Sequence, residues 1–74
     1  MPKLHYSGHA LDQMKERGIA FQQVRDALAN VSMEWADKID PTVRIQIGEV
    51  GDMRIKVVWR PSHNFVITVA DFDQ

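Results

Sequence analysis

The period of the hydrophobic pattern changes once along this chain, near Val31, and no other feature constrains the fold as strongly. Before that point the spacing is helical. From Ser7 to Arg17, Ala10, Leu11 and Met14 share a face while Asp12 and Lys15 point away, and Ser7 is placed to cap the first turn. Gly18 follows a basic last turn, the usual position of a left-handed cap, and Ile19 can fold back against the helix it ends. A second helix is predicted from Phe21 to Asn30, with Phe21, Val24, Ala27 and Leu28 on one side and Gln22, Arg25 and Asp26 on the other. The two make a tight helical hairpin.

Beyond Val31 the period is two. Met33, Trp35 and Ile39 alternate loosely before a turn at Asp40-Pro41-Thr42. In Val43 to Ile47 the alternation predicts Val43, Ile45 and Ile47 inward and Arg44 and Gln46 outward. Gly51-Asp52 suits a hairpin connection, after which Met53, Ile55, Val57 and Trp59 are expected inward and Arg54, Lys56, Val58 and Arg60 outward. A further turn at Pro61 to Asn64 leads into Phe65 to Ala70, apolar on both faces as in a more central strand. The predicted fold class is α+β: two N-terminal helices packed on one face of an antiparallel sheet of three or four strands. On the face left open, Arg44, Arg54, Lys56, Arg60 and Thr68 are expected as a cluster of cations and one hydroxyl.

Size and charge narrow the functions this scaffold can carry. At 74 residues, the chain has interior enough for one domain, residues 1–74. It has no cysteine, which excludes disulfides and thiolate metal sites and points to a reducing, cytoplasmic setting. No apolar run approaches a membrane span, so no membrane partner is expected. Nine Lys and Arg against ten Asp and Glu give a net charge of −1, so attraction to nucleic acid would have to come from the local stripe of Arg54, Lys56 and Arg60. Three histidines without ligand spacing argue against zinc, and no glycine loop or carboxylate pair suggests a nucleotide or other cofactor.

The run His9-Ala10-Leu11-Asp12-Gln13-Met14-Lys15-Glu16-Arg17-Gly18-Ile19 carries a resemblance, together with the short second helix and the glycine-containing hairpin. With the strands Arg54-Ile55-Lys56-Val57-Val58 and Val66-Ile67-Thr68-Val69, it resembles the family of unknown function numbered 4258 over roughly residues 5 to 72. Those proteins look like members of the wider RelE/ParE and BrnT-like group, many of them ribonuclease toxins held by an antitoxin. The resemblance implies a RelE-like domain, metal-independent RNA cleavage, RNA as substrate and an antitoxin protein as partner. It carries His9, Arg17 and Thr68 over as polar motif positions, with Lys56 a looser match. Ala20 departs from the family, where relatives tend to have a capping residue, and the acidic total charge departs from the basic ribosome-dependent toxins.

Such chemistry needs a proton acceptor for the 2′-hydroxyl, cations for the phosphorane-like transition state and a proton donor for the leaving oxygen. His9 suits either proton transfer, Arg17 with either Arg54 or Lys56 suits the phosphate, and Thr68 suits a non-bridging oxygen. Arg44, Arg54 and Arg60 would bind the RNA backbone. Each also has a structural reading: His9 bonding a helix-start backbone group, Arg17 set against the helix dipole and paired with an acid, the strand cations a solvated face, Thr68 a β-former. Trp35 and Trp59 are both expected in the core, Trp59 because it shares the inward phase of Ile55 and Val57. The rival function is a non-catalytic interaction module that offers the open sheet face or its exposed edge to another protein.

Overall fold

The computed structural model describes residues 3–72. In chain order the elements are β1 (His5–Tyr6), α1 (Gly8–Arg17), α2 (Phe21–Ala29), β2 (Val31–Ala36), β3 (Arg44–Val50), β4 (Met53–Arg60), a 3₁₀ turn (Pro61–His63) and β5 (Phe65–Asp71). The strands form one sheet in the order β1-β5-β4-β3-β2. Strands β2 to β5 are an antiparallel meander, whereas β1 lies parallel to β5, pairing His5 with Phe65 and Tyr6 with Val66. The sheet is therefore five-stranded and mixed, not the three- or four-stranded antiparallel sheet expected. Its extra strand is only two residues long and pairs with residues sixty positions away, a contact without local periodicity.

Local chemistry explains both helices. Ser7 Oγ accepts the Ala10 N–H at 3.0 Å at the start of α1. Gly18 closes that helix in the left-handed region (φ 66°), and its neighbour Ile19, whose N–H reaches Met14 O at 2.9 Å, is buried. Ala20 has no side-chain oxygen to cap α2, but its own N–H donates to Gln23 Oε1 at 2.8 Å, which keeps half of a capping box.

Register decides which side chains share a face, because residues directly opposite one another project the same way. The hairpin between β3 and β4 pairs Val50 with Met53, and therefore Gly48 with Ile55, Gln46 with Val57 and Arg44 with Trp59. That face meets the helices: Ala10, Met14, Val24 and Ala27 form one buried cluster with Ile55, Val57, Val66 and Val69. Gly48 lets α2 approach β3 so closely that a Cβ there would overlap the Ala27 carbonyl. The opposite, helix-free face takes the alternate positions, where Ile47 stands between Met33 and Lys56, and Val58 between Ile45 and Thr68.

The expected inward set of Val43, Ile45 and Ile47 is thus corrected for the two isoleucines, while Val43, just before β3, is buried. Ile45 and Ile47 face away from the helices, and Arg44 and Gln46 share the helix-side face. A two-residue turn forces this result, since it fixes partner numbers to an odd sum, and Ile47 and Ile55 can then never share a face. Ile47 is nonetheless fully buried, so the helix-free face carries an apolar centre of its own.

Candidate functional site

His9 and Arg17 lie on α1, both exposed, two helical turns or about 12 Å apart along its axis. Lys56 and Thr68 are half-buried on the helix-free face, so the sheet stands between the two pairs. Lys56 lies opposite Ile47 and Ala70, and Thr68 opposite Val58. Gln13, one turn beyond His9, is a polar residue of α1 that reaches the sheet, where its Oε1 accepts the Val69 N–H at 3.0 Å.

The cations expected to bind RNA are each set beside an acid. Arg44 sits on the helix side, not the open one, and its guanidinium meets Glu34 in a salt bridge. Gln46 Nε2 donates to the other Glu34 oxygen at 2.7 Å, and Trp59 Nε1 donates to Gln46 Oε1 at 2.8 Å, a polar chain across β2, β3 and β4. The hydrogen bond from Arg44, then that from Gln46, holds the Glu34 carboxyl below the ordinary value of 4.5. Arg60 reaches Asp40 Oδ2 at 2.8 Å and Thr42 Oγ1 at 3.3 Å. The Thr42 hydroxyl and N–H, and after them Arg60, lower the Asp40 carboxyl from 3.8. Arg54 lies directly across from Glu49.

Arg60 also fixes the loop between β2 and β3. Asp37 Oδ2 accepts the Ile39 and Asp40 N–H groups at 3.0 and 2.9 Å, and Asp40 Oδ1 accepts Thr42 N and Oγ1 at 3.1 and 2.6 Å. The result is a bonded loop that holds Ile39 out to solvent, 93% exposed. Trp35, Ala36, Asp37, Lys38, Ile39 and Ile45 line a shallow hollow beside it. Trp35 and Met33, 40% and 48% exposed, continue this apolar surface along β2 on the helix-free face.

This surface is what the sequence reading missed. Its only signal is the loose alternation of Met33, Trp35 and Ile39, which reads equally as a strand with a buried face. On the far side of the molecule, the rings of Tyr6 and Phe21 meet at 4.9 Å, and Tyr6 Oη is shielded from solvent with no hydrogen-bond partner. Burial raises the Tyr6 pKa above 10.0, an effect that Arg25 partly offsets. Among the described residues, no three His, Asp or Glu side chains gather as a metal ion would require, and no helix is long and apolar enough to cross a membrane.

A family model described as a domain of unknown function, DUF4258, matches residues 6–71. The chain belongs to this family. The match runs from Tyr6, the second residue of β1, to Asp71 at the end of β5, so the DUF4258 unit spans both helices and strands β2 to β5. No curated protein and no solved structure matched the chain.

Proposed function

We propose that this DUF4258 chain is a protein-interaction module whose contact surface is the helix-free face at its β2 end, with Ile39 as a projecting anchor. One contrast carries the reading: three of the cations on the strands stand beside acids, while Met33, Trp35 and Ile39 stand exposed on ordered backbone. Phosphate recognition needs cations whose charge is not already compensated nearby, and a net charge of −1 adds no long-range attraction. Contiguous exposed apolar side chains next to polar ones are the usual makeup of a protein contact. A cysteine-free chain fits a partner met in the cytoplasm.

Descent from a RelE-like toxin is compatible with this role, the chain keeping the partner-binding half of a toxin–antitoxin pair. Direct ribonuclease action is the second reading, and the family motif residues His9 and Arg17 favour it. It requires His9, Arg17, Lys56 and Thr68 to meet one phosphate, although the sheet separates them in pairs. Binding to a labelled single-stranded RNA from about 50 to about 200 mM salt tests both readings. The interaction reading expects no steeply salt-dependent binding and no cleavage. It also expects capture of a protein from the native host that survives the higher salt and is lost in a Met33→Lys, Trp35→Lys double variant. Tight RNA binding that collapses with salt, or cleavage abolished by His9→Ala and Arg17→Ala, would overturn it.

A further inference from the structure

We infer that two copies of this chain join edge to edge through β2, antiparallel, about a twofold axis at Trp35. The inference rests on the interaction reading above and names the partner. It starts from a difference between the two edges of the sheet. Along the β5 edge, β1 pairs with Phe65 and Val66, and where β1 stops the chain continues the cover. Ser7 N donates to Val66 O at 2.9 Å, Ser7 Oγ to Ile67 O at 2.7 Å, and Gln13 Oε1 accepts Val69 N at 3.0 Å. That edge is closed by α1 itself.

Among the described residues, the β2 edge has no such cover. Asp37 N donates to Val43 O at 2.9 Å, which fixes the alternation of the β2–β3 ladder. Residues 33, 35 and 37 then bond to β3, and Glu34 and Ala36 turn their N–H and C=O groups outward. Free edges are ordinarily blunted by lysine, proline or a bulge. Here β2 contains neither lysine nor proline, its irregularity lies upstream between Val31 and Met33, and its one charge, Glu34, is held by Arg44 and Gln46.

The outward groups are their own complement. With the axis at Trp35, Glu34 of one copy pairs with Ala36 of the other, twice, and every outward group of the two residues is used in four hydrogen bonds. Trp35 then faces Trp35 of the second copy at a non-hydrogen-bonded site, where cross-strand side chains come closest, with Met33 and Ile39 beside them. An axis at Glu34 would set two carboxylates opposite each other, and an axis at Ala36 would need residue 38, beyond the end of β2. A single short strand buries less than the usual stable interface of about 1,600 Å², so the expected dissociation constant is of order micromolar.

Sedimentation equilibrium of the whole chain from about 1 µM to about 1 mM tests this, with Ala36→Pro and Trp35→Lys variants alongside. Ala36→Pro removes an outward N–H and leaves the β2–β3 bonds in place; Trp35→Lys changes an exposed side chain and serves if the proline variant does not fold. The parent should dimerise reversibly, and each folded variant should weaken the dimer by about tenfold or more with an unchanged far-ultraviolet spectrum. A parent that stays monomeric throughout, or a dimer indifferent to both changes, overturns the inference. If the parent is monomeric yet still captures a protein in a Trp35-dependent way, the dimer fails and the interaction reading stands. Salt-dependent RNA binding would sink that reading instead.

Discussion

Replacing Gly48 with alanine should be among the most damaging single changes in this molecule. The added Cβ would overlap the Ala27 carbonyl and stand 2.5 Å from the Ala27 Cα, where ordinary contact begins at 3.4 Å. Relief requires α2 to lift from β3 by about 1 Å, and overpacking of this kind costs typically about 1–3 kcal/mol. The upper end applies here because α2 is not free to move. One residue, Asn30, separates it from β2, and Asn30 O accepts the Glu49 N–H at 3.1 Å. Lifting α2 would also loosen Val24 and Ala27, both fully or nearly fully buried.

For a chain of 74 residues the total stability is about 4–11 kcal/mol, so a loss of about 3 kcal/mol removes between a quarter and most of it. The midpoint of a thermal melt followed by circular dichroism should fall by about 12–24 °C. Adding Ala27→Gly should not rescue the variant, because the atoms in the way are Ala27 backbone. A Gly48→Ala protein that melts within about 3 °C of the parent, or one restored by Ala27→Gly, would refute the backbone-contact argument.

Two further outcomes follow from the hydrogen-bond pattern. Ser7→Ala removes both the cap on Ala10 N and the bond to Ile67 O, and should lower the melting midpoint by about 5–15 °C, corresponding to about 1–2 kcal/mol; Ser7→Gly, which keeps cap-compatible backbone but not the bond to β5, should lie between the two. Glu34 and Asp40 are more acidic in the folded chain than their ordinary values of 4.5 and 3.8, so folding is favoured while they are ionised. Their contribution is complete above about pH 5 and is lost as the pH falls through those values to the lowered ones; urea midpoints should drop over that window, and less so in a Glu34→Gln, Asp40→Asn variant, whereas a parent midpoint that holds steady or rises would contradict the sign.

Much of the fold was legible because its determinants are local. Ser7, Gly18 and Ile19 mark the ends of α1 by capping chemistry, and the alternation from Met53 to Arg60 coincides with β4 from first residue to last. The face assignment of β3 failed although the information was present. Gly51-Asp52 is a two-residue connection, and pairing Val50 with Met53 already implies Ile47 opposite Lys56. Reading each strand by its own apolar positions hid that constraint, because Ile45 and Ile47 supply an apolar centre to the second face. The candidate site was less legible still. Whether His9 and Arg17 share a hollow with Lys56 and Thr68 depends on which face of the sheet α1 covers, and whether Arg44, Arg54 and Arg60 are available depends on acids brought near by cross-strand register or by a loop. Neither is a property of spacing along the chain.

The parallel strand β1 ties together segments that are far apart along the chain. Tyr6 pairs with Val66 and Ser7 Oγ donates to Ile67 O, partners sixty residues apart, whereas both helices and each hairpin of the meander are built from near neighbours. Closing so long a loop costs chain entropy before its contacts reward it, so docking of the helical hairpin along β5 is expected late in folding, after the local helices and the β2 to β5 meander.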